Sequence, residues 1–373
     1  MDVDTNEVFR VCMMPDKASK QKRRELNRFS RERDWQKLPP IHGYWSRRYL
    51  APKLEEVYGT RGTVPFFVDG LLAGRPPSKR LDFVSLGSGL CRVEQDVAAQ
   101  LKARGFHDFR IECLEMSSER CAAANARFVA EGLSEHICVR QQDLSNWNPD
   151  RSYSSVMANH SLHHFTELEG IFASVVEVMD DSGNFVINDI VGRNGHQRWP
   201  EVLRYLEPIW DTLPPKYKFN NRRDRVDEDY DNWDYSLRSN EGVRAQDILP
   251  LLNNFFDASH LVATGGLIDD FIDRTYGHNF DVESAEDTCL IDQISFMNEA
   301  LIEAGMIKPT MLMAWYRKKS SSPPETRIHR GWSQEFCTRD PDQAEISVTR
   351  PLRSDAWSRR LKQVLRRIKA RWL

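Results

Sequence analysis

The chain of 373 residues carries 52 Lys and Arg against 55 Asp and Glu, so its formal net charge is -3. With 40% hydrophobic and 29% charged residues it has the composition of an ordinary soluble protein of one large or two smaller domains. This charge balance argues against nucleic-acid binding as the main function. No segment approaches the roughly 20 apolar residues of a membrane span, and residues 1–17 lack a signal-peptide pattern. We therefore expect a cytoplasmic protein.

The first 75 residues begin with a densely charged stretch, 17–33, and continue into an amphipathic one, 44–58. The apolar residues of the second stretch recur near helical spacing: Trp45, Tyr49, Leu50, Leu54 and Val57. We expect residues 1–75 to form a helical N-terminal extension that lies over the main domain.

Residues 81–191 alternate between short apolar runs and helical patterns. The apolar runs predict strands at 81–86, 110–114, 137–140, 155–158 and 184–190. The stretches between them predict helices at 92–104, 117–131 and 166–179. Strand–helix repetition of this kind produces right-handed crossovers and a parallel sheet covered on both faces. The sequence therefore predicts an α/β, doubly wound domain.

A polar and aromatic segment, 192–240, then interrupts the alternation, and we expect it to form an inserted cap over the substrate. Beyond it the pattern predicts a helix at 242–256, a strand at 259–263, a helix at 292–304 and a strand at 310–316. The main domain would thus span 76–318. Residues 319–351 show no periodicity and are predicted to be a linker.

The first predicted strand ends on closely spaced glycines, Gly87 and Gly89, and leads directly into a helix. Such a turn lets a ligand approach the backbone at the N-terminus of the helix dipole. A dinucleotide-binding turn needs a third glycine, but Leu90, Cys91 and Arg92 follow instead. The turn therefore predicts a nucleotide-like ligand, but a pyrophosphate would fit poorly into this turn.

Polar residues follow each of the next three strands. Glu115 ends the second strand and could accept hydrogen bonds from both hydroxyls of a ribose. Asp143 follows the third strand and could accept one from an adenine amino group. Asn159 begins the Asn-His-Ser-Leu-His-His-Phe run after the fourth. The carboxyl ends of parallel strands are where open α/β sheets bind ligands.

On these residues the chain, over 81–318, resembles the class I S-adenosylmethionine-dependent methyltransferases. Residues 84–91 are similar to the family's glycine-rich first motif and 156–165 to its fourth-strand motif, with Ser85 where the family usually has an acid and Cys91 where it often has glycine. The resemblance implies a Rossmann-like methyltransferase sheet and S-adenosylmethionine as cofactor. The cofactor-binding residues it implies are Ser85, Gly87, Ser88, Gly89, Glu115, Met116, Asp143, Leu144 and Asn159.

Two other functions stay open at this point. The serine at position 85 could mark a cofactor-binding protein without catalysis, and a nicotinamide-dependent oxidoreductase would share the doubly wound sheet. Segments after residue 212 resemble a bacterial, largely uncharacterised subgroup of the methyltransferases, some of which look like neighbours of glycan-building enzymes. This resemblance implies a small-molecule or glycan-precursor substrate and O-methylation.

Methyl transfer requires an aligned nucleophile and removal of its proton. A histidine with a near-neutral pKa suits a hydroxyl acceptor, and the candidates are His164, then His163 and His160, with Asp189 after the fifth strand. Any one of these histidines could instead be a packing residue. A metal-dependent variant would place carboxylates after the fourth and fifth strands; Asn188 and Asp189 fit half of that pattern, and we expect no metal.

The C-terminal segment, 352–373, is basic and amphipathic. Its apolar residues follow helical spacing from Trp357 to Trp372, and seven Lys and Arg occur between Trp357 and the terminus without an acid. Such a helix is typical of peptides that lie on anionic lipid. We expect peripheral association with the inner face of a membrane, although a helix docked on the body or on an acidic partner would have the same pattern.

Overall fold

The computed structural model describes residues 37–320 and 325–341. Eight of its strands form one sheet: β1 (Leu81–Leu86), β2 (Phe109–Glu115), β3 (Ile137–Gln141), β4 (Ser155–Asn159), β5 (Phe185–Ile190), β8 (Phe256–Thr264), β9 (Met311–Lys318) and β10 (Arg327–Ile328). Two short strands, β6 (Phe219–Asn220) and β7 (Arg225–Val226), pair separately.

The strand order is β10-β8-β9-β5-β4-β1-β2-β3. Strands β1 to β5 run parallel, whereas β9 is antiparallel to both β5 and β8. The chain leaves β1 toward β2 and β3 on one side and returns to β4 and β5 on the other. The gap between β1 and β4 is therefore the topological switch point, where sheets of this kind bind ligands.

Helices cover the sheet. They are α1 (Pro40–Trp45), α2 (Ala51–Tyr58), α3 (Thr63–Leu72), α4 (Arg92–Ala103), α5 (Ser118–Ala130), α6 (Leu168–Val178), α7 (Pro200–Thr212), α8 (Ile248–Phe255), α9 (Asp269–Ile272), α10 (Ala285–Glu303) and α11 (Gln334–Cys337). A π-helical turn, Ser46–Leu50, joins α1 to α2. These helices and the parallel strands confirm the predicted doubly wound α/β fold.

Alternate side chains of β1 reach two separate apolar cores. Val84 and Leu86 pack with helices α6, α7 and α8, while Leu81 and Phe83 pack with α3, α4 and α5. All four side chains are at most 1% exposed. Because side chains alternate along a strand, both faces of β1 are buried, as the continuous apolar run in the sequence predicts.

The described part of the N-terminal extension, residues 37–75, is helical and lies on the body, as predicted. Phe66 and Phe67 of α3 are fully buried, and the hydroxyl of Tyr58 donates a 2.6 Å hydrogen bond to the carbonyl of Met313 in β9. The charged stretch 17–33 and the basic segment 352–373 lie outside the described residues.

Two segments differ from the sequence-based expectation. The helix predicted over 242–256 begins only at Ile248, because Gly242 takes a left-handed φ of +67° and a short 3-10 turn, Ala245–Asp247, precedes the helix. Residues 325–341, predicted as part of a linker, add strand β10 and helix α11 to the body. Trp332 and Cys337 are 3% and 1% exposed.

The insertion 192–240 contributes helix α7 and a buried aromatic cluster. Trp210 and Tyr217 are 1% and 2% exposed, and the Trp210 indole donates to the carbonyl of Glu228 at 3.1 Å. The insertion is thus an ordered part of the body. None of the described helices is both long and apolar enough to cross a membrane.

Candidate active site

The turn after β1 has the backbone form that the glycines predict. Gly87 and Gly89 have φ of +68° and +58°, and Cys91, where a further glycine is missing, also takes a left-handed φ of +53°. A Cβ atom at Gly87 would lie 2.9 Å from both Ser161 and Phe165 of the loop after β4. At Gly89 a Cβ would meet only Arg120, at 3.8 Å. Gly87 therefore allows the loop after β4 to pack against the turn, whereas Gly89 leaves the backbone accessible to a ligand.

Ser85 is fully buried beneath this turn, and a carboxylate reaches it from the following helix. The Ser85 hydroxyl donates a 2.7 Å hydrogen bond to Oε1 of Glu94, which is 2% exposed. Burial raises the pKa of Glu94 to about 6 despite this hydrogen bond and the charge of Arg127. Where the first motif usually has an acid in β1, this chain has Ser85, and Glu94 from the first turn of α4 places a carboxylate beside it.

Glu115 and Asp143 lie at the carboxyl ends of β2 and β3. Glu115 is 6% exposed, and its Oε1 accepts a 2.8 Å hydrogen bond from the Ser117 amide at the start of α5. Asp143 caps the short turn Leu144–Asn146, accepting from the amide of Ser145 at 3.2 Å. Neighbouring Met116 is half-buried and Leu144 is 7% exposed.

The loop after β4 begins with the polar pair Asn159 and His160. The Asn188 side chain donates a 2.9 Å hydrogen bond to Asn159 Oδ1, so the two side-chain amides form a pair. His160 adopts a left-handed φ of +49°, which is uncommon for a bulky residue, and its side chain is exposed. The Ser161 hydroxyl then donates to the carbonyl of Leu86 at 2.7 Å, tying this loop to β1.

Asp189 organises the rest of that loop from the end of β5. Its Oδ2 accepts from the amides of Ser161 and Leu162 at 2.8 and 2.7 Å, and its Oδ1 contacts Nδ1 of His163 at 2.5 Å. Burial opposes the charge of this fully buried carboxylate, but the charge and hydrogen bond of His163 outweigh it and lower the pKa of Asp189 to about 2. Asp189 therefore fixes the orientation of His163 and leaves its Nε2 facing away from β5.

Two residues of later segments meet that face of His163. Glu241 Oε1 lies 3.8 Å from His163 Nε2 and 3.1 Å from His196 Nε2. Burial lowers the pKa of His196 to about 4. Burial alone would raise that of Glu241, but the hydrogen bond with His196 and the charges of the histidines around it hold its pKa well below the usual range. Glu241 thus joins His163 and His196 in one polar cluster.

The structure gathers the predicted site residues at one edge of the sheet, at the ends of β1 to β5. His164 is half-buried, its ring centroid 4.2 Å from that of His163. His196 was not among the predicted site residues, because it belongs to a segment without periodicity. Glu241 does not pair with nearby Arg244, which instead contacts Glu169 and Asp247 at 2.7 Å each. Glu94 carried one detectable signal, an acid just after the glycine turn.

The acidic and aromatic run 227–234 in the insertion, by contrast, is largely structural. Asp227 accepts hydrogen bonds from Asn220 and Tyr276 at 2.6 and 2.9 Å, and the Tyr230 hydroxyl donates to Asp270 at 3.0 Å. These contacts hold the insertion on the body.

Comparison with known proteins gives a match to one part of the chain. Residues 85–187, from β1 to β5, match the family model described as "Methyltransferase domain". Similar solved structures include the O-methyltransferase from a trans-AT PKS multienzyme of Brevibacillus brevis in complex with S-adenosyl-L-homocysteine (13% identity, 68% of this chain and 71% of that one, TM-score 0.39). The StiE O-MT (11%, 68% and 74%, 0.39) and an S-adenosylmethionine-dependent methyltransferase from Clostridium acetobutylicum (15%, 42% and 60%, 0.29) are also similar.

A sequence comparison with curated proteins gives no significant match.

Proposed function

We propose that the chain is a class I S-adenosylmethionine-dependent methyltransferase that methylates a hydroxyl group of a small molecule or glycan precursor. The match of residues 85–187 to a methyltransferase-domain family model supports the methyl-transfer activity. The proposal of a hydroxyl acceptor rests on the Asp189–His163 pair, in which Asp189 at the end of β5 contacts a histidine of the loop after β4. Such a loop, next to the glycine turn, provides groups that can accept a proton from an attacking oxygen.

The residues at the glycine turn fit the cofactor. Gly87, Ser88 and Gly89 would present their backbone to its methionine part, with Ser85 and Glu94 beneath the turn. Glu115 would accept from the ribose hydroxyls, and Asp143 from the adenine amino group. Asn159 would line the side of the methyl group. The cofactor supplies a methyl group already activated on a sulfonium.

The protein then has to align the acceptor and remove its proton. We assign the base to His164, whose ring stacks obliquely on that of His163, with His160 as the exposed neighbour at the mouth of the loop. His163 is 3% exposed and locked by Asp189, so its role is to position the acceptor. Asp189 is fully buried and acts through His163.

The charge of the chain supports a proposal for the class of the acceptor and another for the location of the enzyme. The net charge of -3 supports an acceptor other than nucleic acid. Seven Lys and Arg near the C-terminus support peripheral binding of a cytoplasmic enzyme to anionic lipid through 352–373. Deleting 352–373 should abolish sedimentation with anionic vesicles; unchanged sedimentation would contradict the membrane proposal.

Labelled methyl transfer tests the activity. The full chain is incubated with methyl-labelled S-adenosylmethionine and a small-molecule extract, and products heavier by one methylene are sought by mass spectrometry. We expect products in which a hydroxyl has become a methyl ether, and loss of turnover in His164→Gln with cofactor binding retained. Products methylated only on nitrogen or carbon would contradict the assigned acceptor, and binding of cofactor without any turnover would favour a non-catalytic binding protein.

A further inference from the structure

His163, His196 and Glu241 come from three separate loops, and one ligand atom from each lies within 4.8 Å of the other two. We propose that these residues bind a divalent transition-metal ion, Zn²⁺ in the first instance, through Nε2 of His163, Nε2 of His196 and the carboxylate of Glu241. Two imidazoles and one carboxylate form a three-ligand set that leaves a coordination position open.

The distances among the three residues are compatible with a shared metal ion. Zn–N and Zn–O bonds of about 2.0–2.2 Å place tetrahedral ligand atoms roughly 3.3–3.5 Å apart. Glu241 Oε1 lies 3.1 Å from His196 Nε2 and 3.8 Å from His163 Nε2, on either side of that value. The longer distance exceeds a hydrogen bond. A metal would bridge it and would replace the proton that His196 shares with Glu241.

The outer contact of His163 is the kind that metal-binding histidines make. Their second ring nitrogen commonly donates to a carboxylate, which fixes the tautomer and orients the ring. Nδ1 of His163 contacts Asp189 at 2.5 Å, and Asp189 is itself anchored by the amides of Ser161 and Leu162. Nε2 of His163 is thereby presented to Glu241 and His196.

The other two ligands lie on loops held at a fixed separation. The Gly195 amide donates to the carbonyl of Gly242 at 2.8 Å, joining the segments that carry His196 and Glu241. A Cβ at Gly242 would lie 3.0 Å from the His196 amide nitrogen. His196 takes a left-handed φ of +57°, a conformation that costs energy in a non-glycine residue. Such strain is commonly retained at sites that must hold a side chain in place.

The chemistry of the metal builds on the proposed function. A hydroxyl bound at the open position would lose its proton more readily, as water does on a protein-bound zinc ion. The proton passes to His164, the oxygen attacks the methyl carbon, and a C–O bond forms. The C–S bond breaks with its electron pair left on sulfur, which turns the sulfonium into a neutral thioether. This assignment replaces the sequence-based expectation of a metal-free enzyme.

Metal titration tests the site without relying on activity. The full chain is stripped with a chelator and titrated with Zn²⁺ by calorimetry, and with Co²⁺ by visible absorption, which reports nitrogen and oxygen ligands. We expect one tight ion per chain. His196→Ala and Glu241→Gln should each weaken it by at least about 10-fold, and Asp189→Asn by about 10–100-fold. His136→Ala, whose ring stacks on Phe109 away from the site, is the control and should bind unchanged.

Melting curves of each variant exclude unfolding as the cause of lost binding. Absence of a tight ion, or equal affinity in wild type, His196→Ala and Glu241→Gln, would overturn the site. S-adenosylhomocysteine is titrated into the metal-free protein in parallel. If S-adenosylhomocysteine binds and Zn²⁺ does not, the metal site is wrong and the methyltransferase proposal stands. If Zn²⁺ binds and S-adenosylhomocysteine does not, the metal site stands and the methyltransferase proposal is wrong.

Discussion

Asp189 and His163 form a buried pair in which the carboxylate at the end of β5 contacts Nδ1 of the histidine at 2.5 Å while its other oxygen accepts two backbone amides. One acid therefore fixes both a side chain and the loop that carries it. The proposed chemistry depends on this arrangement, since it determines which nitrogen of His163 faces Glu241 and His196.

Asp189→Asn should lower turnover by on the order of 100-fold or more, because an amide presents an N–H to Nδ1 of His163 and favours the wrong tautomer. Affinity for S-adenosylhomocysteine should change little. Asp181→Asn is the control, since Asp181 is 98% exposed and pairs only with Lys318 among the described contacts. Steady-state rates with the identified acceptor, beside calorimetric affinities, check this; equal turnover in both variants would contradict the role of Asp189.

Gly87→Ala should weaken cofactor binding and lower stability. The left-handed φ of +68° costs an alanine about 1–2 kcal/mol, and its Cβ would press on Ser161 and Phe165 at 2.9 Å. Gly132→Ala separates the two effects, because Gly132 has a φ of +66° with nothing within 4 Å of its Cβ position. We expect the control to lose stability alone, as measured by urea unfolding and calorimetry. Unimpaired cofactor affinity in Gly87→Ala would argue against the turn as the cofactor site.

Glu115→Gln should weaken S-adenosylhomocysteine binding about 10-fold, because a carboxylate accepts hydrogen bonds from ribose hydroxyls more strongly than an amide does. Glu119→Gln is a matched control four residues later: Glu119 is exposed, and among the described residues its carboxylate accepts from hydroxyl and amide groups of its own turn. Calorimetric titration of both variants makes the comparison. If Glu115→Gln binds as tightly as Glu119→Gln, the ribose assignment fails.

Glu94 should make stability depend on pH. Its pKa is raised from 4.5 to about 6 in the folded protein, so the folded state favours the protonated acid. The stability it contributes is fully present below pH 4.5 and is lost as the pH rises through 6, a difference of about 2 kcal/mol. Glu94→Gln should remove that dependence and be the more stable protein at pH 8.

Denaturant unfolding at pH 4.5 and 8 measures this effect. Glu177→Gln, at an exposed position of α6, is the control and should follow the wild type. A pH dependence retained in Glu94→Gln would show that another group causes it.

Arg339→Ala should destabilise the body by about 3–5 kcal/mol, because it leaves a buried carboxylate without its charged partner. Arg339 Nε lies 3.1 Å from Glu201 Oε1, and the two side chains are 6% and 3% exposed. The double variant Arg339→Ala/Glu201→Gln should recover at least about 1 kcal/mol relative to the sum of the single changes. Additive losses in the cycle would mean that Arg339 and Glu201 are not coupled.

The parallel half of the fold was predictable because each strand is an apolar run ended by a polar residue. The strand at 81–86 was placed to the residue, and the resemblance carried by Gly87, Glu115 and Asp143 led to the family that residues 85–187 match. The docking of 325–341 was missed, since it depends on single anchors such as Trp332 and Arg339 and has no periodicity.

The site was predicted less completely than the fold. Local signals placed the histidines after β4, but the partners of His163 come from residues 196 and 241, which only the folded chain brings together. Glu94 was missed for a related reason: a carboxylate in an amphipathic helix usually faces solvent, and only the packing under the glycine turn shows that this one is buried.

Calorimetric titration of the full chain with S-adenosylhomocysteine, and separately with NAD, tests whether the glycine turn binds the methyltransferase cofactor. We expect saturable binding of one S-adenosylhomocysteine per chain, weakened in Gly87→Ala and Glu115→Gln, and no binding of NAD. Absence of S-adenosylhomocysteine binding, or binding of NAD alone, would contradict it.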